Sequence, residues 1–339
     1  METLELLLDK SNKENSINKA AEILKNGGVV AMPTETVYGL AASAYDNDAI
    51  TKIFTAKGRP QDNPLIVHVC NMQMLGEVAE NIPPEAFGLA EKFWPGPLTL
   101  VLKKGPKICN NVSAGLNTVA VRMPNNDIAL ELINKSGLPL AAPSANLSGR
   151  PSPTKAEHVI ADLNGKINAV LMSDSSAVGV ESTVVSLCTN PPRLLRPGAV
   201  TKEQLEEFLP DLVVDNAVLN ELKEGEKAAS PGMKYKHYAP KTEVTLVEGS
   251  SQDFAKFVNS KTDCVAVCFL EDAGILTEKI VYGSTRNEAT LAKNLFECLR
   301  QLDNKGYKKA YVHAPTKNGI GLAVYNRLIR AAAFKVVKL

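Results

Sequence analysis

The residues best equipped for chemistry in this sequence are cations and hydroxyls set in short segments marked by proline and glycine. Lys57-Gly58-Arg59 places an ammonium and a guanidinium two residues apart, ahead of the stiff run Pro60-Gln61-Asp62-Asn63-Pro64. That pair suits phosphate, with the arginine as a fork and the lysine as a point charge, although cations also suit a solvated helix C-terminus. Arg122 ends Thr118-Val119-Ala120-Val121-Arg122. Strand alternation puts Thr118, Ala120 and Arg122 on one face, where the cation can hold a carboxylate or form an edge salt bridge. Pro143-Ser144-Ala145-Asn146-Leu147-Ser148-Gly149-Arg150-Pro151-Ser152 reads as an anion-binding nest of exposed amides or as an ordinary turn-rich loop. Pro33-Thr34-Glu35-Thr36-Val37-Tyr38-Gly39-Leu40 follows a buried strand, so its hydroxyls are expected at a helix N-terminus, as caps or as donors to an anion. Glu181-Ser182-Thr183 and Leu195-Arg196-Pro197-Gly198 add a strand hydroxyl and another arginine before a tight turn. His68 reads as a core histidine or a pocket wall.

Compact nucleotide and hydrolase motifs are missing. There is no glycine-rich loop ending in Gly-Lys-Ser/Thr, no Gly-x-Ser-x-Gly elbow and no His-Glu-x-x-His. Gly319-Ile320-Gly321 lacks a third glycine at dinucleotide spacing and has no following strand–helix–strand unit. Four histidines without paired ligand spacing give no zinc signature, and Cys264 and Cys268 read as small buried residues on one face of a strand. Any nucleotide is therefore handled by dispersed groups.

The elements that must gather those groups alternate along the chain. Helices are expected over 16–25, 46–57, 84–93, 127–135, 154–163 and 201–209, with Asp46 or Asn47 capping the second. Strands are expected over 29–32, 65–69, 98–103, 118–123, 169–172, 182–187 and 193–195, which makes an α/β unit with a mixed sheet. Beyond Pro210 the chain turns polar, through Ser230-Pro231-Gly232-Met233-Lys234-Tyr235-Lys236-His237-Tyr238-Ala239-Pro240. Strands over 243–247, 264–270, 279–282 and 310–313, with helices over 252–259, 287–302 and 322–333, then suit a small doubly wound unit. The expected division is 1–212, a linker over 213–240, and 241–339. The lysine-rich stretch 305–309 reads as a solvated face.

Composition limits the function classes. The chain has 339 residues, 45% hydrophobic, with 38 Lys and Arg against 37 Asp and Glu. A net charge of +1 argues against a basic nucleic-acid coat, and the length suits about two domains. No apolar run reaches a membrane span of roughly 18 residues. The acidic start and six scattered cysteines fit an intracellular protein rather than a secreted, disulfide-built one.

None of these segments is specific singly, but their order is. PTETVYGL, KGRPQDNPL, AVRMP, PSANLSG, ESTVV, LRPG and SPGMKYKHYAP together resemble the YrdC/Sua5 family of L-threonylcarbamoyladenylate synthases, in its long Sua5 form. The resemblance implies a YrdC-like twisted mixed-sheet domain followed by a smaller Rossmann-like α/β domain. It implies a nucleotidyltransferase that condenses L-threonine, bicarbonate and ATP into threonylcarbamoyl-AMP and pyrophosphate. That product feeds threonylcarbamoyladenosine formation beside the anticodon of tRNAs reading A-starting codons. By the same resemblance, Thr36, His68, Arg122, Ala142 and Ser182 contact threonine or its carbamate. Lys57, Arg59, Asn63, Thr118, Ser144, Asn146, Ser152 and Arg196 surround ATP, with Lys57 and Arg59 as the catalytic cations. Tyr235, His237 and Tyr238 of the linker fold over the pocket as a lid. Mg2+ is expected to arrive with ATP, held by phosphates and water, with no protein ligand for a metal. The implied partners are a downstream threonylcarbamoyl transferase machinery and a contact with tRNA, in the cytoplasm and without a membrane. The competing reading is a non-catalytic RNA-binding or ribosome-maturation factor that uses the same cations on phosphates. Its sign is salt-steep tRNA binding without ATP–pyrophosphate exchange.

Overall fold

The computed structural model describes residues 2–221 and 237–339. The first unit opens with β1 (Leu4–Leu7), α1 (Lys13–Lys25), β2 (Val30–Met32) and β3 (Gly39–Ser43). Then come α2 (Asn47–Lys57), β4 (Ile66–His68), α3 (Met72–Val78), β5 (Ala79–Glu80), α4 (Pro84–Phe93), β6 (Leu98–Lys104) and α5 (Asn110–Ser113). It continues through β7 (Thr118–Arg122), α6 (Asp127–Ser136), β8 (Leu140–Ala141), α7 (Ala156–Leu163) and β9 (Ala169–Met172). β10 (Thr183–Ser186), β11 (Arg193–Arg196), α8 (Lys202–Glu206) and β12 (Val213–Val214) complete it. These strands form one twelve-stranded mixed sheet, ordered β1-β9-β2-β3-β8-β4-β7-β6-β10-β11-β12, with β5 paired to β6.

Local chemistry accounts for the elements that carry the site. Asp46 caps α2 by accepting from the amides of Asp48 and Ala49. Gly58, with φ of 59°, ends that helix in the left-handed conformation, so the chain turns sharply between Lys57 and Arg59. β4 and β7 run parallel in a register that sets His68 beside Arg122 at their carboxyl ends. β10 lies between β6 and β11, which brings Ser182 and Arg196 to the same end of the sheet.

Two expectations change. After Met32 the chain starts no helix; it turns through residues 33–38 and returns as β3, antiparallel to β2. Gly39-Leu40-Ala41-Ala42-Ser43 is entirely buried and has neither alternation nor β-branched residues, so its sequence gives no strand signal. The linker also starts later than 213. Val213 and Val214 pair with β11, and Ala217 is buried against Ile66, Val184 and Leu195.

The second unit contains β13 (Glu243–Glu248), α9 (Ser251–Asn259), β14 (Cys264–Phe269), β15 (Lys279–Gly283), α10 (Glu288–Asn304), β16 (Lys309–His313), α11 (Gly319–Ala331) and β17 (Val336–Lys338). Its sheet is wholly parallel, ordered β15-β14-β16-β13-β17. Helices cover both faces, α9 on one and α10 with α11 on the other. Cys268 is buried, Cys264 is half-buried, and Lys305, Lys308 and Lys309 are exposed. The two units share a core: Val37 and Val180 of the first pack among Leu295, Phe296 and Tyr325 of the second. Gly179 lies so close to α10 that a Cβ on it would sit 2.4 Å from the Cα of Lys293. No described helix is long and apolar enough to cross a membrane.

Candidate active site

The dispersed groups meet in one cleft of about 750 Å³, counted with its open mouth. Its walls include Thr36, Lys57, Arg59, His68, Arg122, Ala142, Ser144, Asn146, Ser182, Arg196, His237 and Tyr238. Each position follows from an element end. The turn over 33–38 is closed by hydroxyls, not by a helix dipole. Thr34 Oγ1 donates to the carbonyl of Val37 (2.6 Å) and accepts from the amides of Thr36 and Val37. Thr36 Oγ1 accepts from Arg122 Nη1 (2.9 Å). Arg122 also donates Nε to the carbonyl of Gly96 (3.2 Å), and its Nη2 pairs with the Glu35 carboxylate. Both partners are buried, so the guanidinium is locked before any ligand enters.

Lys57 is a buried group, not the solvated helix end that cations often mark. Its Nζ donates to the carbonyls of Ser144 (2.5 Å) and Asn146 (2.6 Å). Burial, then the nearby charge of Arg59, holds its amine well below the usual 10.5. Arg59 is half-exposed, lies over the ring of Phe54 (5.6 Å) and donates to the carbonyl of Asn63 (3.1 Å). Burial, then Arg122, depresses His68 to about 3, so it stands in the wall as a neutral ring. Arg196 donates Nε to the carbonyl of Ser182 (3.0 Å) and Nη2 to its hydroxyl (3.2 Å). Ser182 Oγ is also 2.7 Å from Thr99 Oγ1. Burial lowers Arg196 to about 10, where it remains a cation at neutral pH.

Three expected nucleotide residues stand apart from these walls. Ser152 is fully buried and donates to Glu181 Oε1 (2.5 Å). Asn63 is fully buried behind Arg59, and neither atom of its side-chain amide has a partner among the described residues. Thr118 begins β7 at the end away from Arg122 and lines a separate hollow with Asn81, Lys103 and Cys188. Four strand residues span about 13 Å, so only an extended ligand reaches both Thr118 and Arg122. Among the lid residues, Tyr235 lies outside the described residues. His237 and Tyr238 are cleft walls, and the amide of Ala239 donates to the carbonyl of Gly149 (2.8 Å), fastening the end of the linker to the loop over 143–152.

The sequence motifs did not assign two carboxylates, Glu35 on Arg122 and Glu181 in the cleft wall. Both lie beside hydroxyls that were singled out. Their partners, Arg122 and Arg327, are distant in sequence, so spacing alone gives no signal. Among the described residues no group of three or more His, Cys, Asp or Glu forms a metal-binding cluster.

Comparison with known proteins places this geometry. A family model described as "Telomere recombination", for Sua5, YciO and YrdC, matches residues 22–198. A second, described as "Threonylcarbamoyl-AMP synthase, C-terminal domain", matches residues 200–333. The chain is 43% identical to the threonylcarbamoyl-AMP synthase of Pyrococcus abyssi, over 96% of each chain. It is also 43% identical to that of Bacillus subtilis, over 97% of this chain and 96% of the other. The crystal structure of P. abyssi Sua5 complexed with L-threonine superposes with a TM-score of 0.90 at 40% identity, covering all of both chains.

Proposed function

This chain belongs to the Sua5/YrdC family, in the two-domain form, and from that premise we propose that its cleft makes threonylcarbamoyl-AMP from L-threonine, bicarbonate and ATP. The observation that carries the reading is the convergence of Lys57 and Arg59 from the end of α2, Arg122 from the end of β7 and Arg196 from the end of β11 on one cleft with the loop over 143–152. The threonine carboxylate, bicarbonate, ATP and the leaving pyrophosphate are all anionic, so the site needs fixed cations and donors more than a nucleophilic side chain.

The steps follow from that inventory. Arg122 and Thr36 hold the amino-acid carboxylate, a charge-assisted contact made by a guanidinium already oriented by Gly96 and Glu35. The threonine amine attacks the carbon of bicarbonate, water leaves, and a carbamate forms against Ser182, Ala142 and the neutral His68. A carbamate oxygen then attacks the α-phosphorus as the bond to the bridging oxygen breaks, releasing pyrophosphate. Lys57, Arg59 and Arg196, with Ser144 and Asn146, offset the charge that builds on the phosphates. Ser152 supports the wall through Glu181. Thr118 fits an extended nucleotide whose base lies toward the start of β7, while Asn63 acts through Arg59, whose guanidinium donates to its carbonyl (3.1 Å). By this reading the enzyme is a nucleotidyltransferase.

Mg2+ supplies charge neutralisation to the triphosphate when bound. Glu181 in the cleft wall and Glu35 beside Arg122 are both committed to arginines, which fits an ion carried by phosphate oxygens and water. His237 and Tyr238, which wall the cleft, would keep water from the mixed anhydride. The product is an activated carbamoyl donor, so a transferase acting on tRNA adenosine must consume it, in the cytoplasm where tRNA is modified.

Incubation with ATP and bicarbonate, with and without L-threonine, tests the reading. Threonine-dependent pyrophosphate and an adenylate containing threonine are expected. Salt-steep tRNA binding with no threonine-dependent pyrophosphate would replace the synthase with the RNA-binding alternative.

A further inference from the structure

We propose that Arg327, on α11 of the second domain, is a positioning residue of the cleft, which neutralises Glu181 from behind and thereby leaves Arg196 and Lys57 available to substrate. The proposal rests on the synthase reading above and adds a residue outside the cleft to it. Arg327 is fully buried, and a buried guanidinium is sustained only by close partners. Its Nε donates to Glu181 Oε2 (3.0 Å) and its Nη2 to the carbonyl of Glu181 (3.2 Å). Its Nη1 donates to the carbonyl of Pro197 and to Asn326 Oδ1 (3.1 Å). It thus grips both segments, 181–182 and 196–198, that frame Ser182 and Arg196.

A carboxylate in the wall of a site for polyanions needs a counter-charge from outside that site. The other oxygen of Glu181 accepts from Ser152, so Arg327 is the cation that meets it without itself lining the cleft. Burial pushes the Glu181 carboxyl up, but Arg327 and then Arg196 bring it below the usual carboxylate value. Without Arg327 the carboxylate either takes a proton or draws on Arg196 and Lys57. Both of those cations feel its charge. A second arginine of the same domain acts on the neighbouring loop: Arg300 Nη2 donates to the carbonyl of Pro151 (2.6 Å) and to Asp162 Oδ2 (2.8 Å), which also holds Arg150.

The test uses the full chain with R327M, R327K and the double variant R327M/E181Q. Steady-state pyrophosphate release is followed across pH, and ATP binding is measured directly by calorimetry. For R327M the KM for ATP should rise about tenfold, with a smaller change in kcat. That KM should also climb with pH as Glu181 ionises, a limb absent from the wild type, where Glu181 is ionised throughout. R327K should retain most of the affinity. R327M/E181Q should lose the pH limb and regain most of the ATP affinity. A folded R327M with wild-type KM and pH profile overturns the proposal, as does a double variant no better than R327M. If R327M does not fold, a folded double variant with near-wild-type KM supports the proposal, and a double variant that also fails to fold overturns it. A wild-type chain that binds ATP yet releases no threonine-dependent pyrophosphate marks failure of the synthase reading instead.

Discussion

Arg122 is half of a buried ion pair and, in the mechanism proposed above, the clamp for the threonine carboxylate, and the two roles separate by substitution. R122A removes the clamp for the threonine carboxylate and leaves Glu35 buried without its cation, which costs about 3–5 kcal/mol of stability. Adding E35Q should return most of that stability in denaturant titrations while threonine-dependent pyrophosphate release stays absent. Recovery of release in the double variant would remove Arg122 from the threonine site. Lys57 gives a proton-linkage prediction. Burial, then Arg59, holds its amine below 10.5 in the free protein, and the negative charge of ATP favours the protonated form again. ATP binding should therefore take up protons and weaken as pH rises through the free-state value. Calorimetry in buffers of different ionisation enthalpy, above the titration of the ATP phosphates, reads the uptake, and K57M should abolish it. Zero uptake or proton release by the wild type refutes the assignment. At this scale the cations were legible because Lys57-Gly58-Arg59 and the alternation ending at Arg122 are local patterns. Glu35 and Glu181 were not, because a carboxylate acquires its role from a cation that only the fold brings near.

Strands with clear apolar runs and turns, such as β4, β6, β7 and β9, were legible from sequence, as were helices with caps such as Asp46 on α2. β3 was hidden because small residues suit a crowded sheet interior as well as a helix, and the proline and hydroxyls ahead of it imitate a helix start. What positions the site at the element scale is the close approach of β10 and β11. A Cβ on Gly198 would stand 2.3 Å from the amide nitrogen of Thr183 and 2.7 Å from the carbonyl carbon of Ser182. G198A therefore has to displace backbone, at about 1–3 kcal/mol of overpacking. It should also move Ser182 relative to Arg196, and a shift near 1 Å is worth about a hundredfold in rate. G76A, in α3 with open space around its Cβ, is the control. It should be neutral or stabilising by about 0.4–1 kcal/mol with full turnover. Equal thermal midpoints and equal turnover for the two variants would show that the turn after β11, packed on the start of β10, does not set the site.

At the scale of the whole molecule, the two units pack through one shared apolar cluster although their sheets are separate. Residues 33–38 supply Thr36 to the cleft, and within the same turn Val37 is buried in the second domain's apolar cluster. Val180 does the same next to Glu181. That continuity was not legible in the sequence, where the polar stretch after Pro210 reads as a plain boundary; the interface consists of isolated valines and arginines with no periodicity of their own. Cutting the chain after Glu221, which keeps β12 and Ala217 with the first sheet, would expose Val37 and Val180, each worth about 1.5–3 kcal/mol of burial. It would also leave Glu181 without Arg327, Asp162 without Arg300, and the cleft without His237 and Tyr238. The truncated unit should melt well below the full chain in calorimetry, and it should release no pyrophosphate in response to threonine. Supplying the second unit as a separate chain should restore little, since the shared core is intramolecular in the native protein and its high effective concentration is lost. A truncated unit with the full chain's melting midpoint and turnover would show instead that the first sheet holds its own loops, and that the second domain serves some purpose away from this cleft.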